Sequence, residues 1–128
     1  MMDHTLLGSS GLNISQYALG TIPFSGTKGF EPAADMNQDT ADHMVDYALD
    51  HGINHFDTAN LYATGDAEKV LGKAVRNRRK EMTIASKTGF RLSDNPNDVG
   101  ATRINIEASI DESLQRLGTD YLDCLLYT

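Results

Sequence analysis

Residues 39–57 read DTADHMVDYALDHGINHFD, and two periodicities meet inside that stretch. Ala41, Met44, Val45, Ala48 and Leu49 stand at i, i+3, i+4, i+7 and i+8, the spacing that gathers apolar side chains onto one face of an α-helix. Asp39 or Thr40 is placed to cap it, and Gly52 to stop it. Ile53 to Asp57, bounded by that glycine, is too short for a helix and reads as a strand. An amphipathic helix feeding straight into a strand is half of a βαβ unit, so the fold turns on whether the unit repeats.

It repeats downstream. Ala67, Val70, Leu71, Ala74 and Val75 have the same helical spacing, and Met82 to Ser86 forms the next strand. After a polar loop containing Asn95-Pro96-Asn97, a third helix is expected over Thr102 to Leu117, with Ile106, Ile110, Leu114 and Leu117 inward. It stops at Gly118 and leads to a strand from Tyr121. Upstream, Tyr17 to Gly20 reads as a short strand, followed by a long Gly-, Pro- and polar-rich loop to Asn37. Thr5 to Ile14, with Leu6-Leu7, a Gly8-Ser9-Ser10-Gly11 turn, and Leu12 alternating with Ile14, reads as a β-hairpin.

The sum is a hairpin followed by (βα)₃β. Strands separated by helices imply parallel crossovers, so the class is α/β. A doubly wound nucleotide-binding sheet would need a glycine-rich phosphate turn after its first strand, and Gly20-Thr21-Ile22-Pro23 is no such turn. The first half of a (β/α)₈ TIM barrel fits better, with residues 1–128 forming one partial barrel domain behind an N-terminal β-hairpin. Half a barrel has two unpaired sheet edges and an uncovered inner face, so the piece alone is expected to be marginal, aggregation-prone or dependent on a partner.

Composition narrows the function. A net charge of −7 argues against nucleic-acid binding, which rests on clustered Lys and Arg. No apolar run is long enough to cross a membrane, and MMDHTLLGSSG lacks the basic start and apolar stretch of a secretory leader, so a cytoplasmic protein is expected. The lone Cys124 has no thiol partner for a disulfide or a zinc site and is read as a small buried hydrophobe. Arg76, Arg78, Arg79 and Lys80 stand at a helix end, where the helix dipole is reason enough for them.

The polar residues gather at the C-terminal ends of the strands. Gly20-Thr21 closes the first, Asp57 the second and Ser86-Lys87 the third, and Tyr62 lies just into the loop after the second. In a (β/α)₈ barrel those ends converge on one mouth, which makes Asp57, Tyr62 and Lys87 neighbours in space. The chemistry that suits them is proton donation. Tyrosine is a poor acid at neutral pH, a neighbouring ammonium makes it a better one, and an aspartate keeps that lysine charged and oriented. Singly, each has a plain structural reading: Asp57 as a loop cap, Tyr62 as rim packing, Lys87 as a solvated charge.

The runs LGSSGLNISQYALGT, ADHMVDYALDHGINHFDTANLYATGDAEKVLGKAV, IASKTGF and SIDESLQRLGTDYLD resemble successive signature blocks of the aldo-keto reductases and cover nearly the whole chain. The resemblance implies a metal-free (β/α)₈ barrel that uses NADPH to reduce a small-molecule carbonyl substrate, an aldehyde or ketone. By position in the family's motifs, Asp57 corresponds to the catalytic aspartate, Tyr62 to the general acid and Lys87 to the lysine that assists it. Gly20 and Thr21, with Asp57, correspond to cofactor-binding positions beside the nicotinamide. The spacing of Tyr62 and Lys87, with the long loop before Asp39, is similar to the branch that includes bacterial general stress reductases and potassium-channel β subunits. The resemblance places the residues for the adenosine and 2′-phosphate on strands five to eight. A non-catalytic NADPH-binding subunit of the same fold, or a piece inactive as it stands, are the competing readings.

One position departs from the family. Its fourth catalytic residue, a histidine after the fourth strand, aligns with Thr128. Three explanations stand open: a true substitution, a histidine displaced beyond residue 128, or a stretch Cys124-Leu125-Leu126-Tyr127-Thr128 foreign to the gene. His4, His43, His51 and His55 are not placed to replace it and are assigned no functional role.

Overall fold

A computed structural model describes residues 2–24 and 36–127. Most of the expected long loop before the first helix, and Thr128, lie outside the described residues. The hairpin forms as read: β1 (His4–Leu6) pairs antiparallel with β2 (Asn13–Ser15), with Thr5 opposite Ile14.

Four short strands follow, β3 (Ala18–Gly20), β4 (His55–Asp57), β5 (Thr83–Lys87) and β6 (Cys124–Leu126), in one parallel sheet of order β3-β4-β5-β6. Between them run α1 (Gln38–Asp50), α2 (Asp66–Val75) and α3 (Arg103–Leu117). Strands add in sequence order, and α1 packs on α2 and α2 on α3. That arrangement is a wall of barrel staves. A doubly wound sheet would break the strand order and divide its helices between two faces.

Alternation along the strands sorts the two faces. Phe56 and Ile84 are fully buried against Ala41, Val45 and Ala48 of α1 and Ala67, Leu71 and Val75 of α2. Each such side chain contributes about 1.5–3 kcal/mol by leaving water. The opposite face carries His55 and Asp57 on β4, Thr83, Ala85 and Lys87 on β5, and Cys124 and Leu126 on β6, and these line the barrel side.

Several boundaries differ from the sequence reading. Asn37, rather than Asp39 or Thr40, caps α1: its Oδ1 accepts from the Thr40 N–H at 3.0 Å, so the helix starts at Gln38, ahead of the first apolar position, Ala41. The fourth strand begins at Cys124, not Tyr121. Arg79 takes the Tyr121 carbonyl at 3.0 Å and holds Asp123 Oδ2 at 2.8 Å, and that carboxylate accepts the Ile84 N–H at 2.8 Å, so the Asp123 N–H still reaches the Ile84 carbonyl at 3.1 Å but the reciprocal bond goes to a side chain and the regular ladder starts one residue on.

The face of α3 is also turned. Its buried residues are Asn105, Ser109, Ser113 and Leu117, one step round from the expected stripe, and Ile106, Ile110 and Leu114 are only half-buried. The seam with α2 explains it. Gly72 lies directly on the Leu117 backbone, an approach that large side chains would prevent, and Ser109 accepts from the Thr88 hydroxyl at 2.7 Å. Small side chains, Ser109 with its hydroxyl bonded and Ser113 by size alone, fit that face better than isoleucine.

The basic cluster has specific partners as well. Arg78 reaches Asp46 at 3.2 Å, Asp50 at 3.0 Å and Glu81 at 2.9 Å, tying the end of α2 to α1. The helix dipole is therefore not what holds it. Cys124 is half-buried, not enclosed.

Candidate active site

The site stands where β3, β4 and β5 end. In register, Gly20 faces Asp57 and Asp57 faces Ala85, so Lys87 rises one pleat beyond Ala85 on the same face as Asp57. Its Nζ donates to Asp57 Oδ1 at 2.6 Å and to the Thr58 carbonyl at 2.9 Å. Both side chains are partly screened, 21% exposed for Lys87 and 31% for Asp57. A charge-assisted bond between partly desolvated groups fixes the ammonium in direction, which a mobile surface lysine lacks.

Tyr62 opens a 3₁₀ turn, Tyr62–Gly65, that carries the chain from β4 into α2. The Lys87 ammonium lies 4.8 Å from the centre of its ring. The turn is built of three successive left-handed residues, Ala63 (φ 47°), Thr64 (φ 55°) and Gly65 (φ 94°), and only the last is a glycine. Backbone of that kind costs on the order of 1 kcal/mol or more per non-glycine residue and persists where its surroundings enforce it. Ala63 is fully buried, and Tyr62 packs on the core shared by α1 and α2.

At the end of β3, the Thr21 N–H and hydroxyl both donate to the Asp57 carbonyl, at 3.0 and 3.2 Å, so Thr21 braces the strand end that presents the carboxylate. Gly20 has open space where a side chain would project. The strand end therefore presents a bare stretch of backbone beside Asp57 and Lys87.

All five residues singled out from the sequence thus meet at one end of the sheet: Gly20, Thr21, Asp57, Tyr62 and Lys87. The histidines do not join them. His43 and His4 are exposed, and His51 terminates α1 with Nδ1 2.8 Å from the Tyr47 carbonyl. His55 shares the barrel face with Asp57, but its Nδ1 pairs with the Thr83 hydroxyl at 2.8 Å. Burial holds the His55 imidazole below its ordinary value, against the opposing pull of Asp57 and Asp123.

Sequence reasoning missed a group behind the site. Glu68, fully buried on α2, accepts from the Ser86 hydroxyl at 2.6 Å and from Arg116 Nε at 2.6 Å. A charged residue on the buried face of an amphipathic helix was the available signal, but its partners lie 18 and 48 residues away along the chain.

Four parallel strands in sequence order, joined by helices, form part of a (β/α)₈ barrel, and a carboxylate, a lysine and a tyrosine stand at the C-terminal ends of its strands. The chain belongs to the aldo/keto reductase family, a family of oxidoreductases whose sequence profile matches residues 18–128. It is 32% identical to the aldo-keto reductase YhdN of Bacillus subtilis, covering 95% of this chain and 36% of that protein. It is 36% identical to an Arabidopsis thaliana protein named "Probable voltage-gated potassium channel subunit beta", covering 97% of this chain and 36% of that one. Among solved structures, the holo form of a Bacillus halodurans aldo-keto reductase superposes with a TM-score of 0.81 at 30% identity, over 98% of this chain and 40% of the other. An aldo-keto reductase of Klebsiella pneumoniae in complex with NADPH gives 0.74 at 28% identity, over 99% and 39%. The chain therefore spans well under half the length of the relatives it matches.

Proposed function

We propose that this chain supplies the proton-donating part of an NADPH-dependent carbonyl reductase acting on small aldehydes or ketones. The observation that carries the reading is the placement of one ammonium, Lys87 Nζ, between the Asp57 carboxylate at 2.6 Å and the Tyr62 ring at 4.8 Å. NADPH, when bound, supplies the hydride that reaches the carbonyl carbon. Gly20 and Thr21, next to Asp57, would hold the nicotinamide end of that cofactor. Tyr62 donates its phenolic proton to the carbonyl oxygen as charge develops there. The Lys87 ammonium favours the phenolate left behind, and Asp57 keeps that ammonium in place. A protein kept in the cytoplasm fits such a cofactor.

The test is NADPH oxidation with a panel of aldehydes and ketones by a longer gene product that contains the chain. Turnover that falls by about 10²–10⁴ in Tyr62→Phe is the expected outcome. Turnover unaffected by that change would remove Tyr62 from the mechanism.

A second reading has one finding in its favour, the likeness to a protein named as a potassium-channel β subunit. In it the same fold binds NADPH and reports the bound state to a partner without efficient turnover. Tight NADPH binding with no oxidation across the panel would favour it. The 128-residue chain by itself is expected to show neither NADPH fluorescence quenching nor turnover, and saturable turnover dependent on Tyr62 would overturn that expectation.

A further inference from the structure

The two groups that must stay in register, Tyr62 and Lys87, sit on different elements, and Arg116 on α3 connects to both. Its aliphatic stem lies on Gly65, the last residue of the left-handed turn that Tyr62 opens. A methyl group built on Gly65 would stand 2.6 Å from Arg116 Cδ and 2.8 Å from Nε. Its Nε donates to Glu68 Oε2 at 2.6 Å, one turn into the helix that follows the turn. The other carboxylate oxygen of Glu68 accepts from the Ser86 hydroxyl at 2.6 Å, and Ser86 immediately precedes Lys87 on β5. The outer end of the guanidinium reaches Glu112 at 3.0 Å on its own helix.

We propose that Arg116 is a positioning residue for the Tyr62–Lys87 pair, clamping the turn and the strand end through Glu68 from behind the sheet. The proposal rests on the reading of Tyr62 as proton donor. Its physical content is that Glu68 is completely buried and Arg116 only 16% exposed, so the pair is held in a poorly screened environment. Without the guanidinium, Glu68 keeps only the Ser86 hydroxyl. The start of α2 then withdraws toward water, drawing the strained turn and Tyr62 away from Lys87. Glu112, exposed and on the same helix as Arg116, contributes orientation alone.

The readout is the upfield ring-current displacement of the Lys87 ε-methylene protons by the Tyr62 ring, recorded with labelled lysine on the full gene product that contains this chain. Tyr62→Leu identifies the signal. In Arg116→Met the displacement is expected to fall by about half or more, because aromatic ring effects fade steeply with distance. Arg116→Lys restores part of it, and Glu112→Gln leaves it intact. The double variant Glu68→Gln with Arg116→Met removes the unpaired buried charge and recovers stability, yet the displacement stays lost, since no clamp remains. That variant stands in if Arg116→Met does not fold. Full displacement in either folded variant would overturn the proposal, because Arg116 would then serve only to neutralise Glu68. The measurement needs neither cofactor nor turnover, so a chain that reduces nothing sinks the functional reading and leaves this one standing on its own result.

Discussion

Gly72→Ala tests the seam that sets the helix layer behind the site. A Cβ at position 72 would stand 2.4 Å from the Leu117 carbonyl oxygen and 2.7 Å from both its carbonyl carbon and Cα. Non-bonded carbon contacts are comfortable at about 3.5–4.0 Å, so the helices must separate by roughly 1 Å. No rotamer change relieves the clash, since all three atoms are backbone at the last residue of α3, followed by the left-handed cap Gly118. Alanine in a helix interior is favoured over glycine by about 1 kcal/mol, which by itself would stabilise the variant. Against it, overpacking costs about 1–3 kcal/mol and loosens Leu71, Val75 and Leu117, all essentially buried at this seam. Because the clash is with backbone that cannot step aside, the upper part of that range applies and outweighs propensity, for a net loss of up to about 2 kcal/mol. Urea unfolding followed by circular dichroism should show a lower midpoint at unchanged slope. Lys73→Ala, on the exposed side of the same helix, should stay within about 0.5 kcal/mol of the parent. A Gly72→Ala midpoint at or above the parent's would refute the close-contact argument.

Other perturbations address the caps, the barrel face and the site. Asn37→Ala removes the side chain that accepts from Thr40, and Thr102→Ala the one that accepts from Asn105; each should cost about 1 kcal/mol in the same unfolding assay. Because His55 is held below its ordinary 6.5, the unfolded chain takes up its proton first. Its contribution to stability is present above that pH and is lost as pH falls through the depressed folded value. Melting temperatures from pH 7.5 down should therefore drop less steeply in His55→Gln, and an identical slope would dismiss His55 as a source. In a gene product that turns over, Lys87→Met combined with Tyr62→Phe should lose little beyond the worse single variant, because the two act as a unit; a multiplicative loss would mean independent roles.

The order of elements was legible because helix and strand periods differ, and residues 39–57 show one passing into the other. The gathering of Gly20, Thr21, Asp57, Tyr62 and Lys87 was legible because parallel crossovers deliver every strand end to the same side. Local sequence failed where partners are distant. It gave α3 the Ile106–Ile110–Leu114 stripe because apolar spacing says which residues could be buried, while the Gly72–Leu117 contact selects the face that is. It also explained the basic cluster by the nearest helix end, whereas Arg78 and Arg79 are held by acids and carbonyls on other elements.

Sequence alone, then, determined the alternation of elements, the position of Asp57, Tyr62 and Lys87 at or just past strand ends and the family of the chain, because those depend on neighbours a few residues apart. Tertiary structure decided the distances: the 2.6 Å from Lys87 to Asp57, the ring of Tyr62 beside the same ammonium, and the Arg116–Glu68–Ser86 connection behind them. Those contacts join residues separated by 18 to 48 positions, and only packing brings them together.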